Sequence, residues 1–148
     1  MSSRSVLVVE DYKPFRRFIC STLGRRPELQ VVGEASDGLE AVKKAEELQP
    51  DLILLDIGLP TLNGIEAACR ISRLVPAAKV LFVSMSNDTD VVTLALSNGA
   101  KGYVLKENAQ TDLLPAIEAV LRGDRFVSKG FHTEELPQAK PRYDASWV

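Results

Sequence analysis

Short apolar runs and helix-patterned stretches alternate five times along this chain, and that alternation restricts its fold most. The runs are Val6–Val9, Val31–Ala35, Leu52–Leu55, Val80–Val83 and Gly102–Leu105. The first, third and fourth are apolar throughout, as strands covered on both faces must be. Between them the period changes to that of a helix. One pattern starts near Pro14, a residue suited to a first helical turn, and sets Phe15, Phe18, Ile19 and Leu23 on one face. Asp37 with Glu40 and Asn63 with Glu66 read as caps followed three residues later by an acid. The helices after them are expected to bury Val42, Ala45 and Leu48, and Ile65, Ala68, Cys69 and Leu74. A fourth helix fits Asp88 to Ser97, stopped by Asn98-Gly99, and a fifth fits Asp112 to Leu121, stopped by Gly123. Pro115 is comfortable in that fifth helix only if Asp112 is its cap. Strand–helix repeats of this kind close through right-handed crossovers into a doubly wound α/β domain, a parallel sheet with helices on both faces.

The 148 residues suffice for one such domain and not for two of full size. The net charge of −2 argues against nucleic acid or an anionic membrane as the main partner. No apolar run is long enough to span a bilayer, and the N-terminus lacks the pattern of a secretory signal. The single histidine, His132, lies in the polar C-terminal stretch, which leaves neither a Ser-His-Asp triad nor a histidine-rich metal site for the core. Cys20 and Cys69 sit in separate helical patterns and read as reduced, buried thiols of a cytoplasmic protein.

Function in such a sheet is sought beyond the carboxyl ends of the strands. There the sequence places Glu10 and Asp11, Asp56, Ser84 and Lys106. Taken singly, an acid after a strand is an ordinary loop residue or cap, a serine a turn residue, and a lysine a solvated charge. Taken together they are of matched chemistry. Three carboxylates brought close repel, so one takes up a proton or a cation binds. Oxygen ligands without His or Cys favour a hard ion, Mg²⁺ before Ca²⁺. A carboxylate nucleophile, a hard ion, a lysine and a hydroxyl suit phosphoryl transfer.

Four stretches carry a family resemblance: Val6-Leu7-Val8-Val9-Glu10-Asp11; Pro50 through Pro60 with Asn63-Gly64; Val83-Ser84; and Gly99-Ala100-Lys101-Gly102-Tyr103-Val104-Leu105-Lys106. In their order and spacing the chain resembles the receiver domain of bacterial two-component response regulators. That is a CheY-like, flavodoxin-like fold with strand order 2-1-3-4-5 and five helices. The last stretch most resembles the subfamily joined to a LuxR-type DNA-binding domain. The resemblance implies that Asp56 accepts a phosphoryl group from a histidine kinase or phosphotransfer protein. It implies that Asp11, Asp56 and the Gly58 carbonyl hold Mg²⁺, with Glu10 acting through water. Lys106 and Ser84 would contact the phosphoryl oxygens, Tyr103 would follow Ser84, and Pro60 and Gly64 would shape the loop after Asp56. The fourth helix, fifth strand and fifth helix would move and meet a downstream protein or a second copy. No enzyme activity is expected beyond self-phosphorylation from small donors and self-dephosphorylation.

Three positions depart from the family pattern. Glu10 is longer than the common Asp. Met85 follows Ser84 where a small residue is usual, and is expected to narrow access to Asp56. Glu107 follows Lys106 where many receivers have a cis proline, and a trans bond is the expectation here. A haloacid-dehalogenase-like phosphatase is disfavoured, because Gly58 stands where its general acid would be. A flavodoxin-type flavin carrier would want a hydroxyl-rich phosphate loop in place of Glu10-Asp11. The expected division is a receiver over 1–125 and a flexible C-terminal extension over 126–148 without a second domain. This makes a protein contact the output, unless the chain is the receiver part of a longer LuxR-type transcription regulator.

Overall fold

The computed structural model describes residues 3–129. The strands are β1 (Arg4–Val9), β2 (Leu29–Ala35), β3 (Leu52–Leu55), β4 (Lys79–Ser84), β5 (Gly102–Leu105) and β6 (Phe126–Val127). The helices are α1 (Lys13–Leu23), α2 (Gly38–Leu48), α3 (Gly64–Leu74), α4 (Thr89–Ser97) and α5 (Ala109–Arg122), with one 3₁₀ turn over Lys106–Asn108. All strand pairs are parallel, in the order β2-β1-β3-β4-β5-β6.

The alternation of side chains along each strand divides the core into two layers. Leu7, Val9, Ile53, Leu55, Phe82 and Tyr103 face α2, α3 and α4. Val6, Val8, Leu52, Leu54, Leu81 and Val104 face α1 and α5. That is why the central runs are apolar at every position: neither face of the sheet meets water. The helix starts follow the expected caps. Asp37 accepts from the Glu40 N–H at 2.8 Å and Asn63 from the Glu66 N–H at 3.0 Å. In the first case Glu40 accepts in return from the Ser36 N–H at 2.8 Å. Asp88 caps α4 by accepting from the Asp90 N–H.

Several expectations need correction. The sheet has a sixth strand beyond the expected five, formed by Phe126–Val127 with Ser128 packed beside it; residues 130–148, with His132 and Trp147, lie outside the described residues. Helix α5 starts at Ala109, not after Asp112, and Pro115 lies inside it. The Asp112 carboxylate accepts from the Ser128 hydroxyl, and the 3₁₀ turn runs directly into the helix. An interior proline costs about 3 kcal/mol through its missing N–H and its clash with the preceding turn. Pro115 is exposed, which lets water satisfy the freed carbonyl. Leu48 and Leu74, expected inside, are 39% and 46% exposed at the last positions of their helices. Leu48 lies over Gly33 of the edge strand β2, where a Cβ would come within 2.7 Å of its Cδ1. Cys20 and Cys69 are free and half-buried rather than buried. Among the described residues every peptide bond is trans, that of Lys106–Glu107 included.

Candidate functional site

The carboxyl ends of β1, β3, β4 and β5 deliver their polar residues to one rim, as parallel strands in register must. Carboxylate oxygens of Glu10, Asp11 and Asp56 all lie within 4.8 Å of one another. Glu10 is 1% exposed and Asp56 8% exposed, whereas Asp11 is open to solvent. Two buried acids side by side need positive charge, and Lys106 supplies it. Its Nζ stands 2.7 Å from Glu10 Oε1 and 3.2 Å from Asp56 Oδ2. It also lies over the Phe15 ring, 4.8 Å from the centroid.

Burial raises the Glu10 carboxyl above its ordinary range, and the nearby Asp56 charge adds to that, against the hydrogen bonds from Lys106 and the Tyr12 N–H. Burial pulls the Lys106 ammonium down, but the Glu10 and Asp56 carboxylates outweigh it and leave its pKa above the usual lysine value. A cluster in which burial and charge work against each other this way marks a place where a further cation or a changed charge has large effect.

The loop after β3 is set by close backbone approach. Ile57 N–H donates to Asp56 Oδ1 at 2.7 Å, and Gly64 N–H donates to the Ile57 carbonyl at 2.7 Å. A Cβ on Gly64 would fall 2.0 Å from the Asp56 carbonyl oxygen. Gly64→Ala is therefore expected to cost at least about 3 kcal/mol, at the upper end of overpacking effects, readable as a lowered urea midpoint with an unchanged slope. A midpoint equal to that of the parent chain would contradict this. Pro60 anchors the same loop by accepting from the Gly38 N–H of α2. Thr61 holds a left-handed φ of 65°. Its hydroxyl compensates, donating to Asp37 Oδ1 and accepting from the Leu39 N–H. Gly58 has open space around its Cα.

Ser84 ends β4, 3% exposed, and its Oγ accepts from the Ser86 N–H at 3.2 Å. Tyr103 is fully buried, and its hydroxyl donates to the Ser86 carbonyl at 2.8 Å. Thus the loop after Ser84 and the ring of Tyr103 are bonded together. A depression of about 470 Å³ is lined by Asp11, Asp56, Gly58, Ser84, Met85 and Lys106, among others. Met85 is 80% exposed at its mouth and also lines a neighbouring, more apolar depression with Tyr12 and Phe15.

All the residues expected at the site come to this rim or to the loops and strand that shape it. Sequence reasoning missed Arg16, whose Nη1 donates to the Glu10 carbonyl at 2.7 Å while its Nε binds Glu34. It missed Phe15 under Lys106, and Ser128 with Asp112 behind it. Nothing local in the sequence marks a helix-face aromatic, a half-buried arginine or a serine just past a two-residue strand as having such tertiary partners.

A doubly wound sheet with an acidic cluster, a lysine and a buried serine at its carboxyl rim has the kinds of group that phosphoryl transfer calls for. The model of the response regulator receiver domain matches residues 6–118, and this chain belongs to that family. It is similar to the transcriptional regulatory protein DegU of Brevibacillus brevis, 36% identical over 82% of this chain and 52% of that protein. It is similar to the nitrate/nitrite response regulator NarL of Escherichia coli, 34% identical over 84% of this chain and 58% of that protein. The chain thus spans little more than half the length of these relatives. Among solved structures, a LuxR-family response regulator from Aurantimonas sp. superposes with a TM-score of 0.82 at 35% identity, over 86% of this chain and 91% of that one. The response regulator domain of Thermotoga maritima CheB does so at 0.76 and 35%, over 81% and 97%. The chain is a two-component receiver of the LuxR-regulator type. No described helix is long and apolar enough to cross a membrane.

Proposed function

We propose that Asp56 is the phosphoacceptor of this receiver, with Mg²⁺ held by Asp11, Asp56 and the Gly58 carbonyl, and Glu10 acting through water. The reading is carried by the convergence of three carboxylates within 4.8 Å beside a half-buried lysine. Glu10 and Asp56 carry more negative charge than Lys106 neutralises, and the open Asp11 side gives a hydrated divalent ion its approach. Hard oxygen donors suit Mg²⁺, which keeps several waters. The ion, when bound, offsets charge on the transferring phosphoryl group. Asp56 supplies the nucleophilic carboxylate, Lys106 the ammonium for the product oxygens, and Ser84 a hydroxyl that must turn from Ser86 to reach them.

The phosphoryl group adds roughly 1.5 to 2 negative charges near pH 7. Moving a surface from 1:99 to 99:1 takes about 5.5 kcal/mol, and two or three charge-assisted hydrogen bonds at about 1.5–3 kcal/mol each supply that. The surface that responds is α4, β5 and α5, because Tyr103 and Lys106 stand at its inner edge. The donor is a histidine kinase or phosphotransfer protein of the bacterial cytoplasm, and the output is a protein contact, including a second copy of the chain. The chemistry stops at self-phosphorylation from small donors and self-dephosphorylation.

Incubation of the chain with acetyl phosphate and Mg²⁺ tests this by intact mass. A gain of one phosphoryl group is expected, and none once the metal is chelated. A gain independent of metal would overturn the metal role. Met85→Ala opens the mouth of the site and is expected to speed both phosphorylation and hydrolysis by about 2- to 10-fold, a barrier change of about 0.4–1.4 kcal/mol. Time courses of the same mass signal decide this, and unchanged rates refute it.

A further inference from the structure

Ser128 lies one residue beyond β6 and is 1% exposed. Its N–H donates to the Tyr103 carbonyl at 2.9 Å. Its Oγ accepts from the Leu105 N–H at 3.0 Å and donates to Asp112 Oδ2 at 2.9 Å. Ser128 therefore holds Tyr103 through its backbone N–H, and its buried hydroxyl joins the Leu105 amide to the first turn of α5. Val127 pairs in register with Tyr103 and packs in the same core layer. Phe126 N–H donates to the Lys101 carbonyl and closes the other end of the strand. These contacts occupy the β5 edge, between the two helices whose movement the switch requires.

Lys106 begins the 3₁₀ turn between Leu105 and α5. Ser128 holds both ends of the segment that carries this turn, Leu105 before it and Asp112 after it. The ammonium reaches Asp56 Oδ2 from that corner. A displacement of the backbone at Tyr103, at Leu105 or in the turn that carries Lys106 would strain the bonds to Ser128.

We propose that Ser128 is a positioning residue for Lys106 and Tyr103, so that docking of the β6 strand and phosphorylation of Asp56 are linked equilibria. This rests on the reading of Asp56 as phosphoacceptor. Linkage is reciprocal: phosphorylation alters how firmly β6 is held, and the β6 contact alters how long the phosphoryl group survives.

The test uses the full chain with acetyl phosphate and Mg²⁺. Amide hydrogen exchange at Leu105 and Ser128 is expected to change by about tenfold on phosphorylation. The Asp51 amide, bonded to the Ser5 carbonyl at the opposite end of the sheet, stays unchanged. Ser128→Ala is expected to shift the acyl-phosphate lifetime by about tenfold, while Ser128→Thr, which keeps the hydroxyl, stays within about twofold of the parent. A phosphorylated parent with unchanged exchange at both amides overturns the proposal, as does a Ser128→Ala lifetime equal to the parent's. If the parent takes up no phosphoryl group, the reading of Asp56 fails first and this linkage falls with it.

Discussion

Asp56→Asn is expected to take up no phosphoryl group from acetyl phosphate and Mg²⁺ under conditions in which the parent chain gains one. The substitution keeps shape and size at a position 8% exposed. Its Oδ1 still accepts from the Ile57 N–H, so the loop is retained. What is lost is the nucleophile, since an amide has no charged oxygen to attack phosphorus, and one carboxylate of the metal cluster goes with it. Far-ultraviolet circular dichroism and the urea midpoint should stay close to those of the parent, which separates loss of chemistry from loss of fold. An undiminished gain in Asp56→Asn would place the acceptor on another residue and defeat the proposed mechanism.

Lys106→Met should destabilise the metal-free chain by about 3 kcal/mol, the lower end of the loss when one partner of a buried ion pair is removed. Methionine fills much of the lysine stem's volume, so the effect isolates the ammonium. Glu10 and Asp56, with side chains 1% and 11% exposed, then face each other without a cation. Saturating Mg²⁺ should recover part of the loss by restoring positive charge to the cluster. The dependence on pH has a definite sign. The folded pKa of Lys106 lies above its ordinary 10.5, so its stabilisation is complete below 10.5 and is lost only as pH rises through the folded value. Glu10 has a raised pKa, so on acidification it takes up its proton earlier than an ordinary glutamate and relieves the repulsion. The gap between parent and variant is therefore widest around neutral pH and narrows toward acid. Urea titrations with and without Mg²⁺ measure it, and a variant as stable as the parent in chelator would contradict the role given to the ion pair.

The fold was legible because burial on both faces of a parallel sheet writes itself into sequence as uninterrupted apolar runs. Leu52–Leu55 is found with the same bounds in the structure, and the Asp37 and Asn63 caps bond the amides their spacing indicates. The site was legible because strand ends in a parallel sheet share one rim, so Glu10, Asp56, Ser84 and Lys106 converge from topology alone. The end of the chain was less legible. A two-residue strand such as Phe126–Val127 has no period to detect, and the helix start near Asp112 was misplaced because its carboxylate serves Ser128 and not the helix amides.

Local patterning, then, determined by itself the layers, the strand ends and the chemical types gathered there, since each depends on residues near in sequence or on parallel topology. Only the tertiary structure decided the depth of each charge. It decided that buried Glu10 pairs with half-buried Lys106, that Arg16 holds the Glu10 carbonyl, and that a serine 72 residues after Asp56 accepts from the Leu105 N–H beside Lys106. Those outcomes turn on distances of about 3 Å between groups far apart in sequence, set by the packing of the sheet against its helices.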